Sequence, residues 1–263
     1  MASSTTILKE NRDYWTGRAN SYSEINQEEL RTDQREIWRR ELKTHIERQF
    51  PDRDAASIRV LEIGTGPGFF AILLSELGYD VTAVDLTPAM LEEARKNAGA
   101  LASRIKFMEM NAEELFFLDH SFDVILSRNL TWNLPRPEVA YREWKRVLKE
   151  GGLLLNFDAN WYHYLYDAEA RAGYDADRTA SQTRGIEDRN IGHNFEVMEQ
   201  IALRIPLSNV MRPAWDRAVL SKLGMEVSTD VQAWDRVWSE EEKINFASTP
   251  LFLVHAVRAG GAV

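Results

Sequence analysis

The feature that most constrains the fold of this chain is a glycine loop between a short apolar run and a helical segment. The run covers residues 58–63, and glycines follow it as Gly64, Gly66 and Gly68. Glycine permits the positive φ angles of a tight turn and lets a ligand approach the backbone closely. The helix predicted over residues 68–77 would then present free backbone amides at its N-terminus. The order of strand, glycine turn and helix predicts an α/β fold with a ligand site at the loop.

The pattern that follows the loop is an alternation of short apolar runs with helical stretches. Strands are predicted at residues 58–63, 81–85, 105–110, 122–127 and 152–157, and helices at 68–77, 88–98 and 138–148. We expect the turn Gly151-Gly152 to close the last of these helices. Apolar strands separated by helices indicate parallel pairing with both faces of the sheet covered. Two late strands, at 225–231 and 251–257, predict an antiparallel hairpin at one edge of the sheet.

The first 50 residues and the stretch after the fifth strand do not follow this alternation. An apolar stripe with helical spacing, formed by Leu30, Ile37, Leu42, Ile46 and Phe50, precedes the helix-stopping Pro51. We therefore expect a helical cap at residues 1–50 and the α/β domain at residues 51–263. Residues 161–207 have weak periodicity and are long for a plain connection. They are either an insertion with helices of their own or a mobile lid.

Composition excludes several classes of protein. Lys and Arg number 32 against 41 Asp and Glu, a net charge of −9, which disfavours a general nucleic-acid binder. The absence of cysteine excludes disulfides, thiolate metal sites and a cysteine nucleophile, and the five histidines show no metal-binding spacing, so no metal is expected. The longest apolar runs, such as residues 69–74, are too short to cross a membrane, and no secretory signal is evident. We expect a cytoplasmic protein without a membrane partner.

The glycine loop departs from the two commonest nucleotide-binding loops. A dinucleotide loop would have its third glycine, or an alanine, at the position that Phe69 occupies. The loop also lacks the Lys-Ser/Thr ending of a phosphate-binding loop. Glu62, at the end of the first strand, would lie unfavourably beside a pyrophosphate. A carboxylate at that position is better suited to a ligand that carries an ammonium or sulfonium cation.

On these residues, the chain resembles the class I S-adenosylmethionine-dependent methyltransferases from about residue 58 to residue 257. Glu62-Ile63-Gly64-Thr65-Gly66-Pro67-Gly68 is similar to the family's first motif, and Val147-Leu148-Lys149-Glu150-Gly151-Gly152 to its usual lead into the fifth strand. The resemblance implies a Rossmann-like fold with a seven-stranded, mostly parallel sheet, an antiparallel edge hairpin, an N-terminal helical cap and an insertion after the fifth strand. It also implies S-adenosylmethionine as cofactor and S-adenosylhomocysteine as product.

The resemblance assigns cofactor roles to residues at the carboxyl ends of four strands and in the cap. Asp85 matches the acidic residue that binds the ribose hydroxyls, Asn111 and its neighbours match the loop beside the adenine, and Ser127-Arg128-Asn129 match the loop beside the methionine part. Relatives usually have Asp where this chain has Asn111, but Asn keeps an acceptor oxygen. The full set expected to bind the cofactor is Tyr14, Tyr22, Glu62, Gly64, Thr65, Gly66, Gly68, Asp85, Leu86, Met90, Asn111, Ala112, Glu113, Ser127, Arg128 and Asn129.

Candidates for substrate contact and catalysis follow the fourth and fifth strands. Trp132, Asn160 and Trp161 are expected to bind the substrate, because open α/β sheets place ligands at the carboxyl ends of their strands. Asp158 and His163 are the catalytic candidates, with His163 as a general base. The competing interpretations are a strand-end turn former for Asp85, cap packing for the two tyrosines and a surface histidine for His163.

These features predict an enzyme that transfers a methyl group in line to a small molecule. Methyl transfer needs a general base only where the acceptor arrives protonated, so a missing catalytic triad does not exclude it. The alternative is a non-catalytic S-adenosylmethionine-binding sensor or scaffold. A nicotinamide oxidoreductase is a third possibility, against which Phe69 argues. The acceptor and the oligomeric state, monomer or homodimer, are left open.

Overall fold

The centre of the fold is a seven-stranded sheet. The structure is a computed structural model, and it describes residues 3–188 and 194–260. The strands are β1 (Arg59–Ile63), β2 (Asp80–Asp85), β3 (Lys106–Glu109), β4 (Phe122–Arg128), β5 (Leu148–Asp158), β6 (Met225–Asp230) and β7 (Phe252–Arg258). They lie in the order β3-β2-β1-β4-β5-β7-β6. The first five strands pair in parallel, and β7 is antiparallel to both β5 and β6. The predicted parallel sheet with an antiparallel edge is confirmed.

Helices cover both faces and the carboxyl end of this sheet. They are α1 (Ser4–Arg31), α2 (Gln34–Gln49), α3 (Phe69–Glu76), α4 (Pro88–Ala98), α5 (Pro137–Val147), α6 (Ala168–Arg184), α7 (Phe195–Ala202), α8 (Ala214–Lys222), α9 (Ala233–Val237) and α10 (Glu240–Asn245). Alternate residues of β1 face opposite cores: Val60 packs into the one that contains α2 and α3, and Leu61 into the one that contains α5 and α8. This two-sided burial explains why the strands contain continuous apolar runs.

The first 50 residues form two helices that pack against the rest of the fold. The chain leaves α1 through an extended Thr32 before α2 begins. Trp38 of α2 is buried, with its ring 4.9 Å from that of Phe70 and 5.1 Å from that of Phe157, at the ring centroids. The side chains of α2 therefore belong to the same core as those of α3 and β5.

The expected glycine turn between the fifth helix and the fifth strand is wrong. Helix α5 ends at Val147, and β5 begins at the next residue, Leu148. Gly151 has a φ of +68° inside the strand, and the pairing of β4 with β5 is irregular between Phe122 and Val124. The two glycines thus accommodate a local irregularity in an 11-residue strand rather than a helix end.

The segment 161–207 has helices of its own in the part that the structure describes. It contains α6 and α7 and short 3₁₀ turns, while residues 189–193 lie outside the described residues. These helices agree with the first interpretation, an insertion with its own helices, while the division into domains and closure on a ligand remain predictions. Helices α9 and α10, between β6 and β7, were not predicted. Among the described residues, no helix is both long and apolar enough to cross a membrane.

Candidate functional site

A cleft lies where the strand order reverses, between β1 and β4. Open α/β sheets bind their ligands at this switch point, outside the carboxyl ends of the strands. The cleft encloses about 950 Å³ including its open mouth. Its floor is the turn after β1, its sides follow β2 and β4, and α1 lies over it, contributing Leu8, Asn11, Arg12 and Trp15. We call it the glycine-loop cleft.

Backbone hydrogen bonds and one carboxylate hold the glycine loop in place. The amides of Gly64 and Thr65 donate to the carbonyl oxygen of Val84, at 2.8 and 3.0 Å. Asp85 accepts from the amide of Gly66 at 2.9 Å through one oxygen and from that of Thr87 at 2.8 Å through the other. Asp85 is therefore a brace of the loop as well as a residue of the cleft, and its carboxylate oxygens keep lone pairs for a ligand.

All three loop glycines have positive φ, which favours glycine, and at Gly64 a neighbouring side chain also leaves no room for a Cβ. A Cβ on Gly64, at φ +71°, would lie 2.8 Å from the side chain of Leu130. A Cβ on Gly66, at φ +52°, would point toward the ring of Tyr22, 3.7 Å away, across the cleft. The absence of a side chain at Gly66 keeps the space between the loop and α1 open. A ligand group could therefore enter the space between the loop and the ring of Tyr22.

The charge balance of the cleft favours a cationic ligand group. Burial raises the pKa of Glu62 to about 8, against the lowering effects of the Thr65 hydroxyl bond, at 2.7 Å, and of the nearby Arg128. Burial also raises the pKa of Asp85, against the amide bonds that it accepts. Two buried carboxyls in one cleft, each destabilised as an anion, would both be stabilised by a bound cation. An ammonium or sulfonium group meets that requirement.

The structure brings most of the predicted cofactor residues to this cleft. Those that line it are Tyr22, Glu62, Gly64, Thr65, Gly66, Asp85, Leu86, Met90, Asn111, Ala112, Arg128 and Asn129. They come from α1, from the turns after β1, β2 and β3, and from the end of β4. The strand-end positions that the motif spacing indicated therefore do converge in space.

Four predicted cofactor residues do not line it. The hydroxyl of Ser127 donates to the side chain of Asn156 inside the sheet, where both are fully buried. The carboxylate of Glu113 is held by Arg136, from whose backbone amide and guanidinium it accepts hydrogen bonds. A Cβ on Gly68 would lie 3.0 Å from that of Ala94, so this glycine serves the packing of α3 against α4. Tyr14 lies in the neighbouring cleft instead.

Sequence reasoning missed a set of asparagines that face the cleft. Asn11 and Asn26 come from α1, and Asn133 from the turn after β4. All three are buried, and the Oδ1 atoms of Asn11 and Asn133 have no partner among the described residues. Buried amide oxygens without partners are costly unless a ligand or water satisfies them. Asn11 and Asn26 lie on the buried face of an otherwise polar helix, and this position in the helical repeat could have indicated them.

A second cleft opens beside the first and is lined mainly by aromatic rings. It encloses about 1220 Å³ including its mouth, and we call it the aromatic cleft. Its rings come from Tyr14, Trp15, Tyr22, Trp38, Trp132, Trp161, Tyr162, Tyr174, Phe195, Trp238 and Phe246. The predicted substrate residues Trp132 and Trp161 are among them. Trp15, Tyr22, Asn26, Arg128 and Asn129 line both clefts, so the two spaces share a wall.

A buried ion pair stands at this shared wall. Arg128 of β4 donates to both carboxylate oxygens of Glu29 on α1, at 2.7 and 2.9 Å. Its guanidinium also lies 4.7 Å from the ring centroid of Phe69 and 5.1 Å from that of Phe70. This pair joins the cap helix to the sheet, and Glu29 neutralises Arg128 between the two clefts.

The structure does not bring Asp158, Asn160 or His163 to either cleft, so the catalytic and substrate roles predicted for them lack geometric support. Asp158 is fully buried, accepts the amide of Trp132 at 3.0 Å and pairs with Arg212 at 2.6 Å. Asn160 exchanges two hydrogen bonds with the backbone of Arg212, both 3.0 Å long. The ring Nδ1 of His163 lies 3.3 Å from a carbonyl oxygen of the 206–209 turn. The side chains of Asp158, Asn160 and His163 therefore contact other parts of the protein and do not face the clefts.

The described residues contain no group of three or more His, Asp or Glu side chains that could hold a metal ion.

Comparison with known proteins finds a family match in the part of the chain that runs from β1 into β5. Residues 61–156 match the family described as a methyltransferase domain. The ubiquinone/menaquinone biosynthesis C-methyltransferase UbiE of Rhodopseudomonas palustris (strain BisB5) is 37% identical over 110 residues, which cover 40% of this chain and 44% of that protein. An uncharacterized protein of Mycobacterium tuberculosis, Rv1403c, is 36% identical over 103 residues, or 39% of this chain and 37% of that protein. The matches thus span less than half the length of these relatives.

Solved structures match over much more of the chain but at low identity. A putative S-adenosyl-L-methionine-dependent methyltransferase from Methanococcus maripaludis aligns with a TM-score of 0.53 and 19% identity, over 92% of this chain and 94% of that one. A putative sarcosine dimethylglycine methyltransferase from Galdieria sulphuraria aligns with a TM-score of 0.55 and 14% identity, over 84% and 85%. These likenesses show the fold. Within this fold, residues 61–156 form a region that is similar to a methyltransferase domain.

Proposed function

We propose that this protein transfers a methyl group from S-adenosylmethionine to a small molecule, with the cofactor in the glycine-loop cleft and the acceptor in the aromatic cleft. The observation that carries the proposal is the wall that the two clefts share. Tyr22, Arg128 and Asn129 line both spaces, so ligands in the two clefts would meet there. A methyl donor and its acceptor must lie in contact, and this is the arrangement that adjacent clefts permit.

Each part of the cofactor has candidate partners in the first cleft. Asp85 can accept from the ribose hydroxyls with the lone pairs that its two backbone bonds leave free. Asn111 would lie beside the adenine, and its side-chain oxygen already accepts the amide of Glu113 at 3.0 Å. The buried Glu62 would lie near the cationic end of the ligand. Burial of that cation between Glu62 and Asp85 relieves the destabilisation of both carboxylates.

Methyl transfer requires the protein mainly to align the methyl donor with the acceptor. When bound, S-adenosylmethionine supplies an electrophilic methyl group: a lone pair of the acceptor bonds to the methyl carbon while the carbon–sulfur bond breaks and its electron pair stays on sulfur. The protein holds the two ligands in contact and in line, which lowers the barrier by several kcal/mol. Burial raises the pKa of Tyr22, so its hydroxyl stays protonated at neutral pH and can donate a hydrogen bond to the acceptor.

Many of the residues that would contact the acceptor lie outside the part of the chain that the family match covers. The match ends at residue 156, before Trp161, Tyr162, Tyr174 and Phe195 of the aromatic cleft. The relatives named as C-methyltransferases are similar in the cofactor half, and their carbon acceptor does not transfer to this chain on that basis. The shape and the polar groups of the aromatic cleft would therefore determine the acceptor.

The Asp85→Ala variant is expected to bind S-adenosylhomocysteine about thirtyfold more weakly, a loss of ~2 kcal/mol, because two ribose hydroxyls lose a charged acceptor. Isothermal titration calorimetry measures the difference. The matched control is Asp80→Ala at the other end of the same strand, where the carboxylate pairs with the exposed Lys106. Unchanged affinity of Asp85→Ala would remove this residue from the cofactor site.

Cofactor binding is expected to release a proton from Glu62. Its pKa is raised to about 8 in the free protein, so the carboxyl holds its proton at pH 7. A bound cation lowers that pKa, so the proton leaves, and affinity rises with pH up to about 8 and then levels off. Titration at pH 7 in buffers of different ionisation enthalpy counts the released protons, up to about one per site. The Glu62→Gln variant should release none from this position, and equal release by both proteins would contradict the assignment.

Product formation distinguishes the proposed enzyme from a sensor or scaffold. The protein is incubated with S-adenosylmethionine and a broad panel of small molecules, and S-adenosylhomocysteine is measured by mass spectrometry. Acceptor-dependent formation of the product, lost in Gly66→Val, supports the proposal. Tight binding of S-adenosylmethionine with no turnover on any small molecule, peptide or RNA would favour the sensor instead.

A further inference from the structure

The aromatic cleft combines ring walls with the guanidinium of Arg18, which has no ion-pair partner among the described residues. Near-parallel rings form one wall: Trp132 and Tyr162 lie 4.9 Å apart at 29°, and Tyr162 and Phe195 lie 5.8 Å apart at 27°. On another side, Trp161 meets Phe246 edge-on at 5.3 Å. Such walls favour a flat apolar guest, because aromatic side chains pair with a ring in stacked or edge-to-face geometry.

The charged side chains that line the cleft have partners among the described residues, with the exception of Arg18. Glu29 is held by both arms of Arg128, and Asp177 accepts from the amide and the hydroxyl of Ser248. Glu242 caps its own helix through the amide of Ser239. Arg178 pairs with Asp188. Within residues 3–188 and 194–260, by contrast, no carboxylate forms a salt bridge with Arg18.

Position and hydrogen bonding both direct Arg18 toward a ligand. It lies four residues from Tyr14 and four from Tyr22 on α1, so the three side chains share the helix face that borders the cleft. Its Nε is buried without a partner among the described residues, as is the indole Nε1 of Trp161. Both atoms are donors. A ligand with an anionic or carbonyl oxygen would satisfy them, whereas an amine would add a third donor.

Resting on the proposed function, we infer that the methyl acceptor is a flat aromatic compound with an acidic oxygen substituent, a carboxylate or a phenolate. Its ring lies among the aromatic side chains of the cleft, and its acidic group pairs with Arg18. The same rings could attract an organic cation. The carboxylates of the cleft already accept hydrogen bonds, whereas the buried donors of Arg18 and Trp161 have no acceptor among the described residues, so the geometry favours a ligand that supplies an acceptor oxygen.

Three probes of one shape and different charge test this inference: 2-naphthoate, 2-naphthylmethanol and 2-naphthylmethylammonium. Each is titrated into the full chain saturated with S-adenosylhomocysteine, and tryptophan fluorescence or calorimetry gives the affinity. We expect 2-naphthoate to bind tightest, and Arg18→Gln to weaken it about tenfold to a hundredfold, as for loss of a charge-assisted hydrogen bond. Arg18→Lys should restore part of the affinity. Arg31→Gln, on the same helix but outside the cleft, is the matched control.

A second pair of variants tests the ring wall. Tyr174→Leu should weaken all three probes, whereas Tyr166→Leu, an exposed tyrosine outside the cleft, should weaken none. Tighter binding of the ammonium probe, or equal 2-naphthoate affinity in Arg18→Gln and wild type, would overturn the inference. The affinity for S-adenosylhomocysteine, measured on every variant, reports folding and the proposed function separately. A failure to bind S-adenosylhomocysteine refutes the cofactor site, and a failure of 2-naphthoate alone refutes only the acceptor class.

Discussion

Replacement of Arg212 by methionine is expected to lower the free energy of unfolding by about 3–5 kcal/mol, the usual cost of leaving a buried charge without its partner. Arg212 is fully buried between two carboxylates, Asp158 at 2.6 Å and Asp216 at 2.7 Å. Their oxygens also serve Tyr141, which donates to Asp216, and the backbone of Trp132. Methionine fills much of the space but donates nothing, so both carboxylates lose their counter-charge inside the protein.

Urea unfolding followed by circular dichroism measures the loss. The matched control is Arg236→Met, which breaks the half-exposed pairs of Arg236 with Glu41 and Asp230. Surface pairs of this kind contribute about 1 kcal/mol or less. A change for Arg212→Met no larger than the control would mean that the buried cluster does not stabilise the fold. Replacing Asp158 and Asp216 by asparagine in the Arg212→Met background should recover part of the loss, since the unpaired charges are then gone.

Gly66→Val is expected to lower the affinity for S-adenosylhomocysteine by a hundredfold or more while the protein stays folded. The glycine has a φ of +52°, a region that β-branched residues rarely adopt, and its missing side chain keeps the gap toward Tyr22 open. A valine there would extend into the cleft, with backbone strain of about 1–3 kcal/mol in addition. Steric exclusion from the site, rather than unfolding, is the reason for the expected loss.

The control for strain alone is Gly185→Val. Gly185 caps α6 with a φ of +66°, and a Cβ there would meet nothing within 4 Å. Both variants carry a valine at positive φ, but only one lies at the cleft. Calorimetry should show normal cofactor affinity for Gly185→Val and an affinity lower by a hundredfold or more for Gly66→Val, with similar unfolding midpoints. Near-normal binding by a folded Gly66→Val protein would contradict the loop geometry.

The sequence predicted the sheet and much of the first cleft, because both follow from local patterns. The glycine loop, the acidic end of β2 and the polar turns after β3 and β4 occur at short, fixed distances from apolar runs. Periodicity therefore locates them, and parallel pairing brings their strand ends together. The motif could not distinguish which residue of each turn faces the ligand. Ser127 points into the sheet and Glu113 toward Arg136, although both stand beside residues that line the cleft.

The second cleft was mostly beyond sequence reasoning, because distant segments build it. Asp158 resembled a catalytic carboxylate at a strand end, but its partner Arg212 lies 54 residues further along the chain. No local sequence pattern indicates that Asp158 and Arg212 form a pair. Likewise, Arg18 of α1 and Phe246, which follows α10, are far apart in sequence, and α10 carries no periodic signal long enough to be recognised. Only Trp132 and Trp161, which follow strand ends directly, could be predicted.

The division of the two clefts between different parts of the chain bears on how such a protein diverges. Residues at the ends of β1, β2 and β4 form the base of the glycine-loop cleft, whereas α6, α7, α10 and the chain around them furnish a large part of the aromatic cleft, and α1 lines both. Substitutions in α6, α7 and α10 reshape the space for the acceptor without touching the loop or the carboxylates of the donor site. New acceptor preferences can therefore arise by change in one half of the molecule while the donor half is preserved. On the proposed function, the segment after β5 is accordingly the natural target for redirecting methyl transfer to another compound.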